Sequence, residues 1–168
     1  MLLTLPIPAT LANARLDAVL HSLQPQLSRT VARQLCELGA VAVDGVRAHA
    51  TERPRAGSSL QFAPETVALT LQLGLPVQYA DLDLLVLHKP AGMAVHAGPL
   101  VDDSVAQRLA SLPGSGLAHR LDRGTSGLLL VGRHAAALRS LAAAMEAGAI
   151  AREYLAIAAG VIEPDERT

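Results

Sequence analysis

The stretch "GLAHRLDRGTSGLLLVGR", residues 116–133, decides how the rest of the chain reads. It sets His119, Arg120, Asp122, Arg123, Thr125 and Ser126 between two apolar runs, so its pattern is strand, loop, strand. Such a unit needs only a turn former at its loop. The sequence as a whole is 51% hydrophobic and 17% charged, so this concentration of polar groups points to chemistry.

Three chemistries compete for the loop. A serine hydrolase needs G-x-S-x-G at a strand-to-helix elbow. Here the order is Gly124-Thr125-Ser126-Gly127, followed by an apolar strand pattern, which excludes it. A metal site would draw on His88, His96, His119 and His134, but their spacing fits no ligand motif and the single cysteine adds no thiolate cluster. In the third reading Asp122 is the reactive group, a carboxylate on a rigid loop acting as nucleophile or base, with the hydroxyls of Thr125 and Ser126 to orient it. An aspartate before Arg-Gly is as readily an Asx-turn residue, and the residues alone leave both roles open.

The chain around the loop has 168 residues, room for one domain or two small ones. Its net charge of −1 announces no polyanionic partner, so any nucleic-acid surface is local. Phe62, Tyr79 and Tyr154 are its only aromatic residues, which restricts any stacking role. No apolar run reaches the roughly 18 residues of a membrane span, and the N-terminus lacks a signal-peptide pattern. The expectation is a cytoplasmic, monomeric protein with no membrane association.

In the first half, Leu16, Val19, Leu20 and Leu23 recur at i, i+3, i+4 and i+7, one apolar helix face. Ser28 is a good N-cap for a second helix and Gly39 a good residue to follow its end. In that helix Val31, Leu35 and Leu38 are expected to face the core, with Arg29 and Arg33 four apart on the other side. "VAVDGVRA" carries Asp44-Gly45 between alternating apolar residues, a type I′ hairpin signal, and "AGSSLQF" reads as a further strand. Two arginines on a helix face are ordinarily a solvated surface.

Residues 64–78, "PETVALTLQLGLPVQ", alternate like a strand between prolines and read as a linker and incoming strand. "LDLLVLHKPAGMAVHAG" is an apolar strand broken by Pro-Ala-Gly and followed by a second short strand. Asp102 or Ser104 would cap a short helix through Leu109. "HAAALRSLAAAMEAG" is an Ala-rich helix ending at Gly148, and "AREYLAIAAGVIE" reads as a closing strand.

The pieces "ARLDAVL", "LSRTVARQL", "GAVAVDGVRA" and "RAGSSLQF" resemble an S4 RNA-binding domain in their helix, helix, hairpin, strand order. "HRLDRGTSGLLLV" resembles the catalytic motif of RluA-type pseudouridine synthases, H-R-L-D-x-x-T-S-G, at every fixed position. "LHKPAGMAVHAG" resembles the family's K-P-x-G strand and turn. "AREYLAIAAG" resembles its K-x-Y-x-A strand, with Arg152 in place of the usual lysine. The resemblance implies an α+β architecture: a small S4-type RNA-binding domain over residues 14–63, the linker and incoming strand over 64–78, and over 79–168 the N-terminal part of a mixed, mainly antiparallel synthase sheet with packed helices. It also implies RNA, ribosomal more than transfer RNA, as the partner, and neither metal nor organic cofactor.

By the same resemblance Asp122 is the nucleophile that converts uridine to pseudouridine. Arg120 fills the space the base leaves, Tyr154 stacks on the extruded base, and Lys89 and Arg123 hold phosphates. His119 is structural, bonding the loop backbone. In the S4 part Arg15, Ser28, Arg29 and Arg33 are the expected RNA-contact residues. Family members normally continue well past the Tyr154 strand, into a segment that carries the basic partner of the catalytic aspartate. The chain therefore reads as an incomplete synthase, and the alternative is a catalytically inactive S4-type RNA-binding remnant.

Overall fold

The computed structural model describes residues 2–99 and 101–160. Its first half is a four-stranded antiparallel sheet with two helices packed on it. The strands are β1 (Leu3–Pro6), β2 (Ala42–Val43), β3 (Val46–Arg47) and β4 (Ser59–Phe62), in the order β1-β4-β2-β3. The helices are α1 (Leu16–Leu23) and α2 (Arg29–Glu37).

Local chemistry accounts for most of this half. Leu16, Val19 and Leu20 are fully buried on the inner face of α1. The Ser28 hydroxyl caps α2 by accepting a hydrogen bond from the Val31 amide. Asp44 and Gly45 both have positive φ, 51° and 82°, as a type I′ turn requires between β2 and β3. The Asp44 carboxylate also accepts from the Ser59 amide on β4. The core face of α2 is turned by about one residue from expectation: Ala32, Leu35 and Cys36 are buried, while Val31 and Leu38 are half-buried. Burial pushes the Cys36 thiol up to about 12, so it stays protonated. β1 is paired along its length with β4, Leu3 opposite Phe62.

Residues 64–78 differ from the sequence reading. Pro64–Leu73 is a helix, α3, with Pro64 in its first turn, and only Val77–Ala80 is a strand, β5. The alternation Val67-x-Leu69-x-Leu71-x-Leu73 suggests a strand because apolar residues recur every second position. On a helix two residues turn about 200°, so the same alternation serves opposite sides. Val67 and Leu71 belong to the core of the first half, and Leu69 and Leu73 to that of the second. The Thr70 hydroxyl, fully buried, accepts from the Val77 amide and fixes the helix-to-strand corner.

The second half is another four-stranded antiparallel sheet, in the order β5-β6-β8-β7, where β6 is Leu84–Lys89, β7 Gly116–Leu117 and β8 Gly127–Gly132. Leu85, Leu87, Leu129 and Val131 are fully buried from its two central strands. The Ser104 hydroxyl caps α4 (Val105–Leu109). Amides at the start of α4 donate to the carbonyls of Ala94 and Val95, so the second strand expected after the Pro-Ala-Gly turn is reduced to a single bridge, Ala94 to Ser104. α5 (Ala135–Glu146) crosses β8 where Gly132 lets the Leu138 backbone approach.

The strand expected from "AREYLAIAAGVIE" is absent over 151–160; its remaining residues lie outside those described. Residues 151–158 have no regular structure, and Leu155 and Ile157 are fully exposed. A strand needs a paired neighbour to satisfy its amides and carbonyls, and among the described residues none pairs with this segment.

Candidate active site

Along β6 the inward positions alternate Leu85, Leu87, Lys89. The last of them carries a charge into the interior. Lys89 is fully buried, and its Nζ donates to the carbonyls of Pro90 (3.0 Å), Met93 (2.8 Å) and Arg123 (3.2 Å). Burial lowers its pKa, and the nearby Asp122 carboxylate opposes that shift. The expectation that Lys89 holds a phosphate is therefore corrected: its ammonium is enclosed, with three backbone carbonyls as partners.

Those carbonyls belong to two loops. The turn after β6, Pro90–Met93, is tied to the 118–126 loop a second time. The Gly92 amide donates to the Arg123 carbonyl (2.7 Å), and Arg123 Nε donates to the Gly92 carbonyl (2.9 Å). Lys89 and this exchange fix the backbone one residue beyond Asp122. On the other side of the loop, His119 Nε2 accepts from the Leu130 amide on β8 (3.1 Å), so the ring proton sits on Nδ1. Burial lowers the His119 pKa, which favours that neutral form. The ring thus bonds the neighbouring strand as well as bracing the loop.

Asp122 itself is exposed. Its carbonyl closes a turn by accepting from the Thr125 amide (3.0 Å), but its carboxylate has no hydrogen-bond partner among the described residues. This is neither an Asx turn nor the expected orientation by Thr125 and Ser126. Other aspartates show what a structural role looks like here. Asp44 accepts from Ser59, Asp81 from the amides of Asp83 and Leu84, Asp17 pairs with Arg15, and Asp103 with Arg108.

Arg120 and Arg123, both exposed, flank Asp122 and line a cavity of about 250 Å³ with His96 and Leu121. A second cavity, of about 410 Å³, lies across the Pro90–Met93 turn and is lined by Asp102, Asp103 and Arg123. Asp122 stands in the chain among these arginines and itself lines neither cavity. Tyr154 is 62% exposed on the irregular 151–158 segment and lines neither cavity. The structure brings together Asp122, Arg120, Arg123 and Lys89, and Tyr154 stands exposed on the irregular segment.

The four residues expected to contact RNA in the first half are held by one another and by the fold. Arg15 makes a two-point contact with the buried Asp17 carboxylate, and Arg29 approaches Oδ1, which Arg15 Nε also bonds, at 3.6 Å. The Arg15 hydrogen bonds, with help from Arg29, hold the Asp17 carboxyl below the usual carboxylate range against the effect of burial. Arg33 pairs with Glu37 one turn along α2 (2.7 Å), and Ser28 is the α2 cap. Arg15 and Arg29 therefore form a partly neutralised cationic pair rather than two free charges.

A strand–loop–strand unit with an unbonded aspartate between arginines, joined to an S4-like sheet and helix pair, defines a class. The chain belongs to the RNA pseudouridylate synthase family, of the RluA type, whose pattern matches residues 83–168, and its residues 14–55 match the S4 domain. It is 33% identical over 168 residues to the "Ribosomal large subunit pseudouridine synthase D" of Xanthomonas campestris, an alignment covering 93% of this chain and 51% of that protein. It is also 33% identical over 171 residues to an "Uncharacterized RNA pseudouridine synthase" of Bacillus subtilis, covering 93% of this chain and 56% of that protein. The chain spans about half the length of the curated relatives it matches. Among solved structures, "Human RNA Pseudouridylate Synthase Domain Containing 4" matches with a TM-score of 0.39 at 21% identity, covering 49% of this chain and 33% of that one.

Proposed function

We propose that this protein isomerises uridine to pseudouridine in structured large-subunit ribosomal RNA, with Asp122 as the nucleophile. The observation that carries the reading is the free, exposed carboxylate of Asp122 on a loop braced from both sides. His119 and Lys89 beside it have structural partners, and Arg120 and Arg123 carry positive charge. The large-subunit RNA names of relatives such as that of Xanthomonas campestris support the choice of substrate.

In this reading residues 14–63 grip the RNA and residues 79–168 supply the N-terminal part of the catalytic domain. The target uridine leaves its helix at a cost of a few kcal/mol. Arg120 enters the vacated space, and Arg123 meets a phosphate from the exposed end of its guanidinium. Tyr154, one of three aromatic residues, stacks on the base, an interaction worth about 1–3 kcal/mol. Asp122 bonds to the ribose or the base as the N1–C1′ bond breaks. The base turns, C5 bonds to C1′, the bond to Asp122 breaks and returns the free carboxylate, and the C5 proton is lost as N1 gains one. Substrate and product have the same atoms, so no electron donor or acceptor enters the balance.

The test is Asp122→Asn in the full-length protein. Pseudouridine formation on unmodified large-subunit RNA should be abolished while RNA affinity stays within about twofold, because the change is isosteric and exposed. Turnover by the variant would refute Asp122 as nucleophile. RNA binding with no turnover in the unaltered protein would instead favour the RNA-binding remnant.

A further inference from the structure

A cavity of about 470 Å³ lies between the two halves, away from the Asp122 carboxylate. Its first wall is the end of α2 with the segment Arg47–His49. Its second is Gly74–Pro76, His88 and the Pro90 and Met93 ends of the turn that Lys89 and Arg123 hold. Most of the lining is apolar, from Leu38, Leu75, Pro76, Pro90 and Met93. Ligand pockets of a few hundred Å³ combine such walls with a small number of placed polar groups.

The charges on the walls are of two kinds. Arg108 is neutralised by a two-point pair with Asp103 and by the carbonyls of Leu73 and Gly74, and Glu37 is paired with Arg33. Arg47 has no ion-pair partner among the described residues; it donates only to the neutral side chain of Gln78 on β5. The Gln78 Nε2, buried, has no acceptor among the described residues. His88 is partly buried, and burial together with the Arg47 charge lowers its pKa. The His49 ring is exposed and makes no hydrogen bond among the described residues. Arg47 is therefore the charge on these walls without an ionic partner among the described residues.

We infer that this crevice seats one nucleotide of the RNA near the target uridine, with its phosphate on Arg47 and its base or ribose against Pro76 and Met93. The inference rests on the reading of RNA as substrate. Three observations select a nucleotide over other occupants. The uncompensated charge is positive, the walls are apolar enough to receive a base face, and the Pro90–Met93 turn forms a wall of both this crevice and the 410 Å³ cavity beside Arg123. The position is also fixed, because α3 contributes to both cores and Arg47 bonds across to Gln78. The two halves then read neighbouring nucleotides of one RNA as a single rigid surface.

The test uses the full-length protein carrying Asp122→Asn, so that turnover does not confound binding, and unmodified large-subunit ribosomal RNA as the probe. Arg47→Gln should weaken binding about five- to tenfold, as loss of a charge-assisted phosphate contact does. It should also reduce the slope of log affinity against log salt by about 0.7–0.9. Arg47→Lys should recover most of both effects. Because Arg47 bonds Gln78, His49→Glu is the companion variant: it leaves the Arg47–Gln78 bond in place, adds a second carboxylate beside Glu52, which accepts from the His49 amide, and should weaken binding to a similar degree. Unchanged affinity and slope in Arg47→Gln and His49→Glu would overturn the inference, including in favour of a protein occupant. Failure of the parent protein to bind the RNA at all would instead overturn the RNA reading on which it rests.

Discussion

Replacing Lys89 by methionine separates two roles that predict opposite results. A lysine that holds a phosphate can be removed at little cost to the fold. The Lys89 found here cannot, because its ammonium is the shared donor for the carbonyls of Pro90, Met93 and Arg123. Hydrogen bonds to a charged group contribute about 1.5–3 kcal/mol each, so three set an upper limit of about 5–9 kcal/mol. Methionine keeps the apolar stem buried and removes the cost of burying the ammonium, and both gains offset part of that loss. Breaking a buried charged group away from its partners typically costs about 3–5 kcal/mol, and we expect Lys89→Met to fall in that range.

A domain is stable by about 5–15 kcal/mol in total. For a chain of this size each kcal/mol moves the melting temperature by about 2–4 °C, so Lys89→Met should lower it by about 6–20 °C. Lys89→Arg should not rescue it, because a planar guanidinium cannot direct donors to three carbonyls around one point. The assay is thermal unfolding followed by circular dichroism, with RNA affinity measured in parallel below the transition. An unchanged melting temperature together with a salt slope reduced by about one contact would refute the buried role and restore the phosphate role.

Two further outcomes follow from packing and charge. A Cβ on Gly132 would lie 2.5 Å from the Leu138 amide nitrogen and 2.6 Å from its Cα, both backbone atoms that cannot swing aside. Gly132→Ala should therefore displace α5 and cost about 1–3 kcal/mol, read as a lowered urea midpoint; an unshifted midpoint would contradict the helix placement. The Asp17 carboxyl is held below its ordinary value, first by Arg15 and then by Arg29. Its stabilising effect is complete above the unfolded pKa of about 3.9 and is lost as pH falls through the lower folded value. Asp17→Asn should be less stable than the parent at pH 7, with the gap closing as pH falls below about 4. A gap independent of pH would contradict the ion pair.

Much of the molecule is legible in its sequence where the determinants are local. The Asp44-Gly45 turn, the Ser28 and Ser104 caps, the α1 face and the Ala-rich α5 each depend on residues within a few positions of one another. The readings that fail depend on distant partners. β1 exists because β4 lies beside it, and four residues of "LTLP" carry no signal of a pairing nearly sixty positions away. The segment 151–158 has strand-like alternation but nothing to pair with among the described residues. At the site, the position of Asp122 between strands was readable, and the fate of its carboxylate was not, because hydrogen bonds made elsewhere decide whether it is free. Lys89 did carry a signal. It stands two and four residues from Leu87 and Leu85, so period-two alternation already turns it inward.

The α3 segment shows why parity alone misleads. Apolar residues at every second position define one face of a strand and two opposite faces of a helix. Both structures satisfy the pattern, and they differ only in whether there is one core to meet or two. Here there are two, since Val67 and Leu71 enter one and Leu69 and Leu73 the other. The absence of a single apolar stripe, which argues against a helix when one core is assumed, is what a helix shared by two cores must show. That sharing also has a functional consequence. A flexible linker would let the two halves move independently, whereas a helix embedded in both cores fixes the separation between them. The spacing of the Arg15 and Arg29 pair, Arg47 and the Asp122 loop then becomes a property of the fold, and under the function proposed above an RNA would be selected by whether its shape meets all of them together.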